Sequence, residues 1–190
     1  MTAALDWLRS LDGGVLLWIQ AHLRAPFLNG AVSFYTVLGN AGLLFLAAAV
    51  LLLCFRKTRR SGVVALLAIA IGFVCTNLIL KDLVARPRPW LEVAGLTHLV
   101  TENDPNSFPS GHTCAAFAFA LGVRWAAPRR WIGRTALVMA VLMGLSRLYV
   151  GVHYPSDVLA GALVGALAGL AAAWIVKGIA ARLRRRREPE

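Results

Sequence analysis

Residues 41–55, 61–80 and 158–176 contain no charged side chain, and each run is bounded by basic residues or by a polar segment. An α-helix needs about 20 apolar residues to cross the hydrocarbon core of a bilayer, where no water satisfies backbone polar groups left outside a helix or a closed barrel. Runs of this kind point to an all-α, integral membrane helical bundle. Two further spans are expected at 111–127 and 131–148, whose cations Arg124, Arg134 and Arg147 lie near the ends, within snorkelling reach of the headgroups. Composition agrees: the chain is 58% hydrophobic with a mean hydropathy of +0.67, above the apolar share of a soluble domain.

The N-terminal stretch reads differently. Leu5, Trp7, Leu8, Leu11, Val15, Leu16, Ile19 and Leu23 approximate a helical stripe that Asp6, Arg9, Asp12, Gln20 and His22 interrupt, as in an interfacial helix. A first span over 13–38 is the competing reading, and it would bury Gln20, His22 and Arg24 in the bilayer. The expected architecture is five to six transmembrane helices with this N-terminal helix at the interface. No basic segment precedes a compact apolar core and a small-residue cleavage site, which argues against a cleavable signal.

A net charge of +11 raises the question of nucleic acid, and the positions of the cations answer it. Arg56, Lys57, Arg59 and Arg60 lie between the first two runs, and Arg124, Arg129, Arg130 and Arg134 between the next two. Lys177, Arg182 and Arg184 to Arg187 follow the last. If all five spans cross, these fourteen of the twenty basic residues share one side, which the positive-inside rule makes cytoplasmic. The arginines are then read as topology and anionic-lipid contacts, with no nucleic-acid partner. The polar segments fall on the opposite, extracytoplasmic side.

Three polar segments interrupt the apolar pattern: KDLVARPRPW at 81–90, PSGH at 109–112 and SRLYVGVHYPSD at 146–157. Lys81, Arg88 and Arg147 bring three cations next to low dielectric and call for an anion. Asp82, Glu92, Glu102, Asp104 and Asp157 could serve as salt-bridge partners, but that leaves His112 and His153 unexplained. Glu102, Asn103 and Asp104 are read as solvating their loop rather than tuning substrate choice. In PSGH, Ser110 is a natural N-cap and Gly111 with His112 opens a helix, so free backbone N–H groups offer an anion site. His153 and Asp157 are four residues apart, with Pro155 suited to a first helical turn, so an aspartate can hold the imidazole and leave one nitrogen reactive. The cysteines 54, 75 and 114 read as small buried hydrophobes, with no zinc spacing. Gly161, Gly165 and Gly169 form a ladder for close helix approach, whose partner is either within the chain or a second copy in a homo-oligomer.

Taken together, Lys81 with Arg88-Pro89, then PSGH, then Ser146-Arg147 with His153 and Asp157, resemble the tripartite signature of the type 2 phosphatidic acid phosphatase superfamily. All three parts match without a gap. The resemblance covers about residues 41–178 and extends in layout to small bacterial members, undecaprenyl-pyrophosphate and phosphatidylglycerophosphate phosphatases among them. It implies one membrane-embedded domain over 1–190, with 1–25 as interfacial or first helix, 41–178 as catalytic core and 179–190 as basic cytoplasmic tail.

It also implies a lipid phosphatase of the bacterial inner membrane, with phosphorylated lipid and bulk membrane lipids as partners and neither metal nor cofactor. By that resemblance His153 attacks phosphorus, Asp157 orients it, and His112 protonates the leaving oxygen and then activates water. Lys81, Arg88, Arg147, Ser110 and the Gly111 N–H hold the phosphoryl oxygens. Arg86 ranks below Arg88, and Trp90, Phe108 and Tyr149 either line the entry for a lipid chain or, as interfacial aromatics more often do, anchor the protein at the membrane surface. Undecaprenyl pyrophosphate is the favoured substrate, with phosphatidylglycerophosphate or phosphatidic acid next. The superfamily's vanadium haloperoxidases use comparable residues but are soluble. A non-catalytic lipid binder or transporter is the reading from another class, and an intact pair of histidines with an orienting acid argues against it. A structural or assembly protein would need none of the three motifs.

Overall fold

The computed structural model describes residues 3–185, with side chains from residue 7; the end of the expected basic tail, 186–190, lies outside the described residues. Helix α1 (Ala3–His22) stops three residues before Pro26, which opens α2 (Pro26–Leu38) at a position where proline costs no hydrogen bond. That break rules out one helix over 13–38. A turn at Asn40–Gly42 then bends α2 against α3 (Leu43–Cys54) by 53°. Two successive residues there, Ala41 (φ 51°) and Gly42 (φ 72°), take left-handed backbone, which no helix continues through.

Helix α4 (Arg59–Phe73) continues through a π-helical segment, Val74–Leu80, into the short α5 (Lys81–Val84). A single turn, α6 (Pro89–Glu92), leads into a long loop and then α7 (Gly111–Ala126), α8 (Arg130–Tyr149) and α9 (Pro155–Arg185). Among the described residues the nearest thing to a strand is one isolated bridge between Pro87 and Asn106.

Length and apolarity qualify three helices as spans, Arg59–Val84, Arg130–Tyr149 and Pro155–Arg185, and a fourth if α2 and α3 count as one bent span. The expected run 41–55 forms only Leu43–Cys54, because the left-handed turn precedes it. Helix α7, with 16 residues, is about 24 Å long at 1.5 Å per residue, short of the hydrocarbon thickness by itself. It is the centre of the bundle, packed on α4, α8 and α9.

Small residues allow this packing. Ala65, Ala68, Ala116, Ala120, Ala140, Ala168 and Ala172 form a buried core with Phe45, Phe119, Val123 and Met143, while large apolar side chains such as Leu159, Leu163 and Trp174 face outward, as lipid contact requires. The glycine ladder finds its partner inside the chain. A Cβ on Gly165 would press on the Cys114 carbonyl and stand 2.9 Å from Ala118 N, and one on Gly169 would stand 2.9 Å from Gly122 N. The backbones of α7 and α9 therefore touch where a methyl group does not fit. We expect Gly165→Ala to cost about 1–3 kcal/mol by forcing the helices apart. Gly178→Ala, with nothing within 4 Å, should leave stability unchanged or raise it slightly; thermal unfolding in detergent separates the two.

The long helices each bring a motif residue from one end and cations from the other. The rod that starts at Arg59 delivers Lys81. Helix α7 runs from His112 to Arg124, α8 from Arg130 to Arg147, and α9 from Asp157 to Lys177 and the arginines beyond. The three polar segments meet at one end of the bundle.

Candidate active site

Gly151 (φ 78°) turns the chain between α8 and α9, and a Cβ there would lie 2.6 Å from the Thr97 carbonyl, so the turn admits no side chain. This turn carries His153, which precedes α9, while Asp157 sits in the first turn of α9. The pairing survives: His153 Nδ1 lies 3.5 Å from Asp157 Oδ2. Asp157 is fully buried and heavily engaged. Its Oδ2 accepts the Tyr154 N–H at 2.9 Å and the Ser107 hydroxyl, and its Oδ1 accepts Arg86 Nη1 at 2.9 Å.

The other ring nitrogen of His153, Nε2, is 3.0 Å from Arg88 Nη1. A guanidinium can only donate, so Nε2 accepts and the proton of the neutral ring sits on Nδ1, toward Asp157. Burial, reinforced by the charges of Arg88, Arg147 and Lys81, holds His153 well below the usual histidine range. The imidazole is thus neutral at pH 7, with its lone pair on Nε2.

Ser110 caps α7: its Oγ accepts from Thr113 N at 3.4 Å and from Thr113 Oγ1 at 2.9 Å. Its own N–H donates to the Asp157 carbonyl at 3.1 Å, which ties PSGH to α9. Gly111 has Asn77 of the π-helical segment against it, with Asn77 Oδ1 3.2 Å from where a Cβ would stand. His112 follows, its Nε2 2.9 Å from Asn40 Oδ1 in the left-handed turn. Lys81 pairs with Asp104, and Arg147 with Glu102, which also lies 3.5 Å from Arg88 Nη2.

A cavity of about 200 Å³ brings Lys81, Arg88, Gly111, His112 and His153 together with Glu102, Asp104 and Asn77. Its remaining wall is apolar and includes Ile69, Phe73, Ala41 and Ala115. Ser110, Arg147 and Asp157 stand behind the lining rather than on it. Arg147 is fully buried, donates to Thr36 Oγ1 at 2.7 Å, and keeps an Nε that finds no acceptor among the described residues.

Four expectations change here. Glu102 and Asp104 do not merely solvate their loop; they neutralise the cavity's cations, because buried charge without a partner costs several kcal/mol. Burial raises the Asp104 carboxyl, but the Lys81 bond, the Asn106 N–H bond and the charges of Lys81 and Arg88 together outweigh it and leave the group below its ordinary range, so it is ionised. Arg86, ranked below Arg88, holds Asp157 directly. Trp90 and Tyr149 do not line this cavity: Trp90 lies tilted against His98 at 4.6 Å with Arg88 Cζ 5.7 Å over its ring, and Tyr149 bonds Asn29 at 2.8 Å. Of the cysteines only Cys114 is buried, and Cys54 is exposed. Asn40, Ser107 and Asp12 have no motif around them in the sequence. The one available signal is Asp12 itself, a carboxylate within an apolar stripe that proves buried.

The fold and cavity define an all-α membrane bundle with two histidines and two cations, Lys81 and Arg88, lining a partly apolar chamber and a third, Arg147, behind it. The sequence profile of the PAP2 superfamily matches residues 61–180. An undecaprenyl-diphosphatase from Sulfolobus acidocaldarius is 33% identical over 138 residues, 73% of this chain and 66% of that protein, so the alignment spans just under two thirds of that relative. The crystal structure of Aquifex aeolicus LpxE superposes with a TM-score of 0.74 and 29% identity, covering 85% of this chain and 94% of that one. That of a transmembrane PAP2-type phosphatidylglycerolphosphate phosphatase from Bacillus subtilis gives 0.70 and 30%, covering 95% and 88%. The chain belongs to the PAP2 superfamily.

Proposed function

We propose that the protein is a membrane lipid phosphatase acting through a phosphohistidine, with undecaprenyl pyrophosphate as first substrate and phosphatidylglycerophosphate as second. The observation that carries this is the placing of His153, its Nε2 toward Arg88 and its Nδ1 toward Asp157, in a cavity with cations on one wall and apolar side chains on another. Phosphorylated amphiphiles match both walls.

His153 Nε2 attacks phosphorus as the bond to the leaving oxygen breaks, and His112 donates a proton to that oxygen. Water then attacks the phosphoimidazole, His112 takes its proton, and phosphate leaves with His153 restored. Lys81, Arg88, Arg147 and the N–H groups at the start of α7 neutralise the phosphoryl oxygens, and Asp157 offsets the positive charge on the phosphorylated ring. The cationic ends of the helices face the cytoplasm of a bacterial inner membrane, and the cavity opens on the opposite leaflet.

The test is phosphate release in detergent with EDTA from undecaprenyl pyrophosphate, phosphatidylglycerophosphate and phosphatidic acid, with a His153→Ala control. EDTA-resistant turnover that vanishes in the control supports the reading, and the ranking of rates names the substrate class. Equal inactivity of wild type and control transfers the weight to lipid binding or transport.

Glu102 occupies the cations that a phosphate needs. Glu102→Gln should therefore lower KM about three- to tenfold, strengthen inhibition by inorganic phosphate and leave kcat within about twofold. A raised KM would mean that Glu102 arranges the cations rather than competing for them.

A further inference from the structure

Helix α1 sends one side chain into the apparatus behind His153. Asp12 is 3% exposed, and both its oxygens are engaged. Oδ1 accepts the Ser156 N–H at 3.1 Å, and Oδ2 accepts Arg86 Nη2 at 2.9 Å and the Ser156 hydroxyl. Arg86 turns its other nitrogen, Nη1, to Asp157 Oδ1 at 2.9 Å and Ser156 Oγ at 2.7 Å, with its guanidinium 3.7 Å over the Tyr154 ring. One cation thus bridges two buried carboxylates, from the first helix and the last.

Anchoring α1 does not require this. Arg24, just past its end, already bonds the Tyr149 and Thr97 carbonyls, each at 2.8 Å, and Gln20 accepts the Thr97 N–H at 2.8 Å. What Asp12 adds is charge. Arg86 alone would neutralise Asp157, whereas Asp12, Arg86 and Asp157 together carry a net single negative charge. That charge faces the imidazole, against Arg88, Arg147 and Lys81 on its other side, with His112 across the cavity.

We propose that Asp12 is a positioning residue for the His153–Asp157 pair, acting through Arg86 to aim Asp157 and to keep its charge available to the phosphorylated ring. The proposal rests on the phosphatase reading. It makes the N-terminal helix part of the catalytic machinery, although the three motifs lie wholly outside it.

The test uses full-length Asp12→Asn and Arg86→Gln, with wild type and His153→Ala alongside, on undecaprenyl pyrophosphate in detergent across a pH series. Asp12→Asn should lower kcat about tenfold with KM within about twofold, and slow formation of the phosphoenzyme more than its hydrolysis. Loss of a nearby negative charge disfavours the imidazolium, so the acid limb of kcat/KM should move to lower pH. Arg86→Gln removes a cation and should move it to higher pH while also lowering kcat. A purely structural bridge would move neither limb.

Wild-type kcat and an unmoved limb in Asp12→Asn would overturn the inference while leaving the phosphatase reading intact. An inactive wild type would remove both. Should neither charged-site variant fold, Ser156→Ala decides: it deletes the hydroxyl joined to Asp12 and Arg86 without changing charge. It should lower kcat about threefold at constant KM, and an unchanged kcat would overturn the proposal.

Discussion

Replacing His153 by alanine should reduce lipid phosphate release by at least about a thousandfold and abolish acid-labile labelling of the protein by a phosphate-labelled substrate. The size follows from the geometry. Removal of a nucleophile leaves only positioning and electrostatic stabilisation, which in other hydrolases retain a small residue of the rate. His153 is also buried against Arg88 and Asp157, and alanine leaves both charges where they were. The cations keep their carboxylate partners Glu102 and Asp104, so substrate affinity should change much less than kcat. A parallel loss in KM and kcat would mean that the histidine holds the cavity together.

The wild-type protein carries a pH signature of the same group. A histidine whose pKa lies below its ordinary value stays neutral, and competent as a nucleophile, as pH falls through the usual histidine range. The rate of phosphoenzyme formation in the free enzyme should therefore hold down through pH 6.5, and Arg88→Gln, which removes a cation opposing the imidazolium, should raise the pH at which it falls. A limb at the ordinary histidine value in wild type would mean that the ring is more solvated than its burial implies.

The residues that converge on the cavity were legible because chemistry constrains their spacing. Lys81, Arg88, Gly111, His112 and His153 belong to three short segments in an apolar chain, where a charged side chain needs a reason to exist. The helical class was legible for the same cause, since long uncharged runs admit few other folds. The lengths were not, because a break such as Ala41–Gly42 depends on backbone angles that an alanine rarely takes. Partners across long separations were also hidden. Asn40 meets His112, and Asp12 meets Arg86, only after α1, α2 and the bundle have packed. The glycine ladder lay between these cases: its spacing announced a close helix contact, but only the Cys114 and Gly122 backbones against Gly165 and Gly169 place that contact on α7.

His112→Ala should leave the enzyme able to form a phosphoenzyme and nearly unable to discharge it. Protonation of the leaving oxygen is worth about a hundredfold to ten-thousandfold, and its importance depends on how poor the leaving group is. With an aryl phosphate, whose leaving group needs little protonation, His153 can still attack, and the first turnover should appear as a burst close to one equivalent of phenol per protein. With undecaprenyl pyrophosphate the leaving group is itself a phosphate monoester, less basic than a phenolate, so a comparable burst should remain, and with phosphatidic acid, which releases an alcohol, none. Hydrolysis of the phosphoimidazole still needs a base for water, so the intermediate should accumulate with every substrate that forms it. The carboxylates on the cavity wall, Glu102 and Asp104, are held in ion pairs by Arg147, Arg88 and Lys81, and Asp157 is engaged by Ser107, Arg86 and the Tyr154 N–H behind His153. Asn40→Ala, which removes the 2.9 Å partner of His112, should resemble a weak form of the same defect, slowing both steps several-fold without trapping the intermediate. Equal loss of both steps for all leaving groups in His112→Ala would instead mean that His112 serves the fold or the phosphate pocket, and proton transfer would then have to be sought among the water-accessible groups of the 98–107 loop.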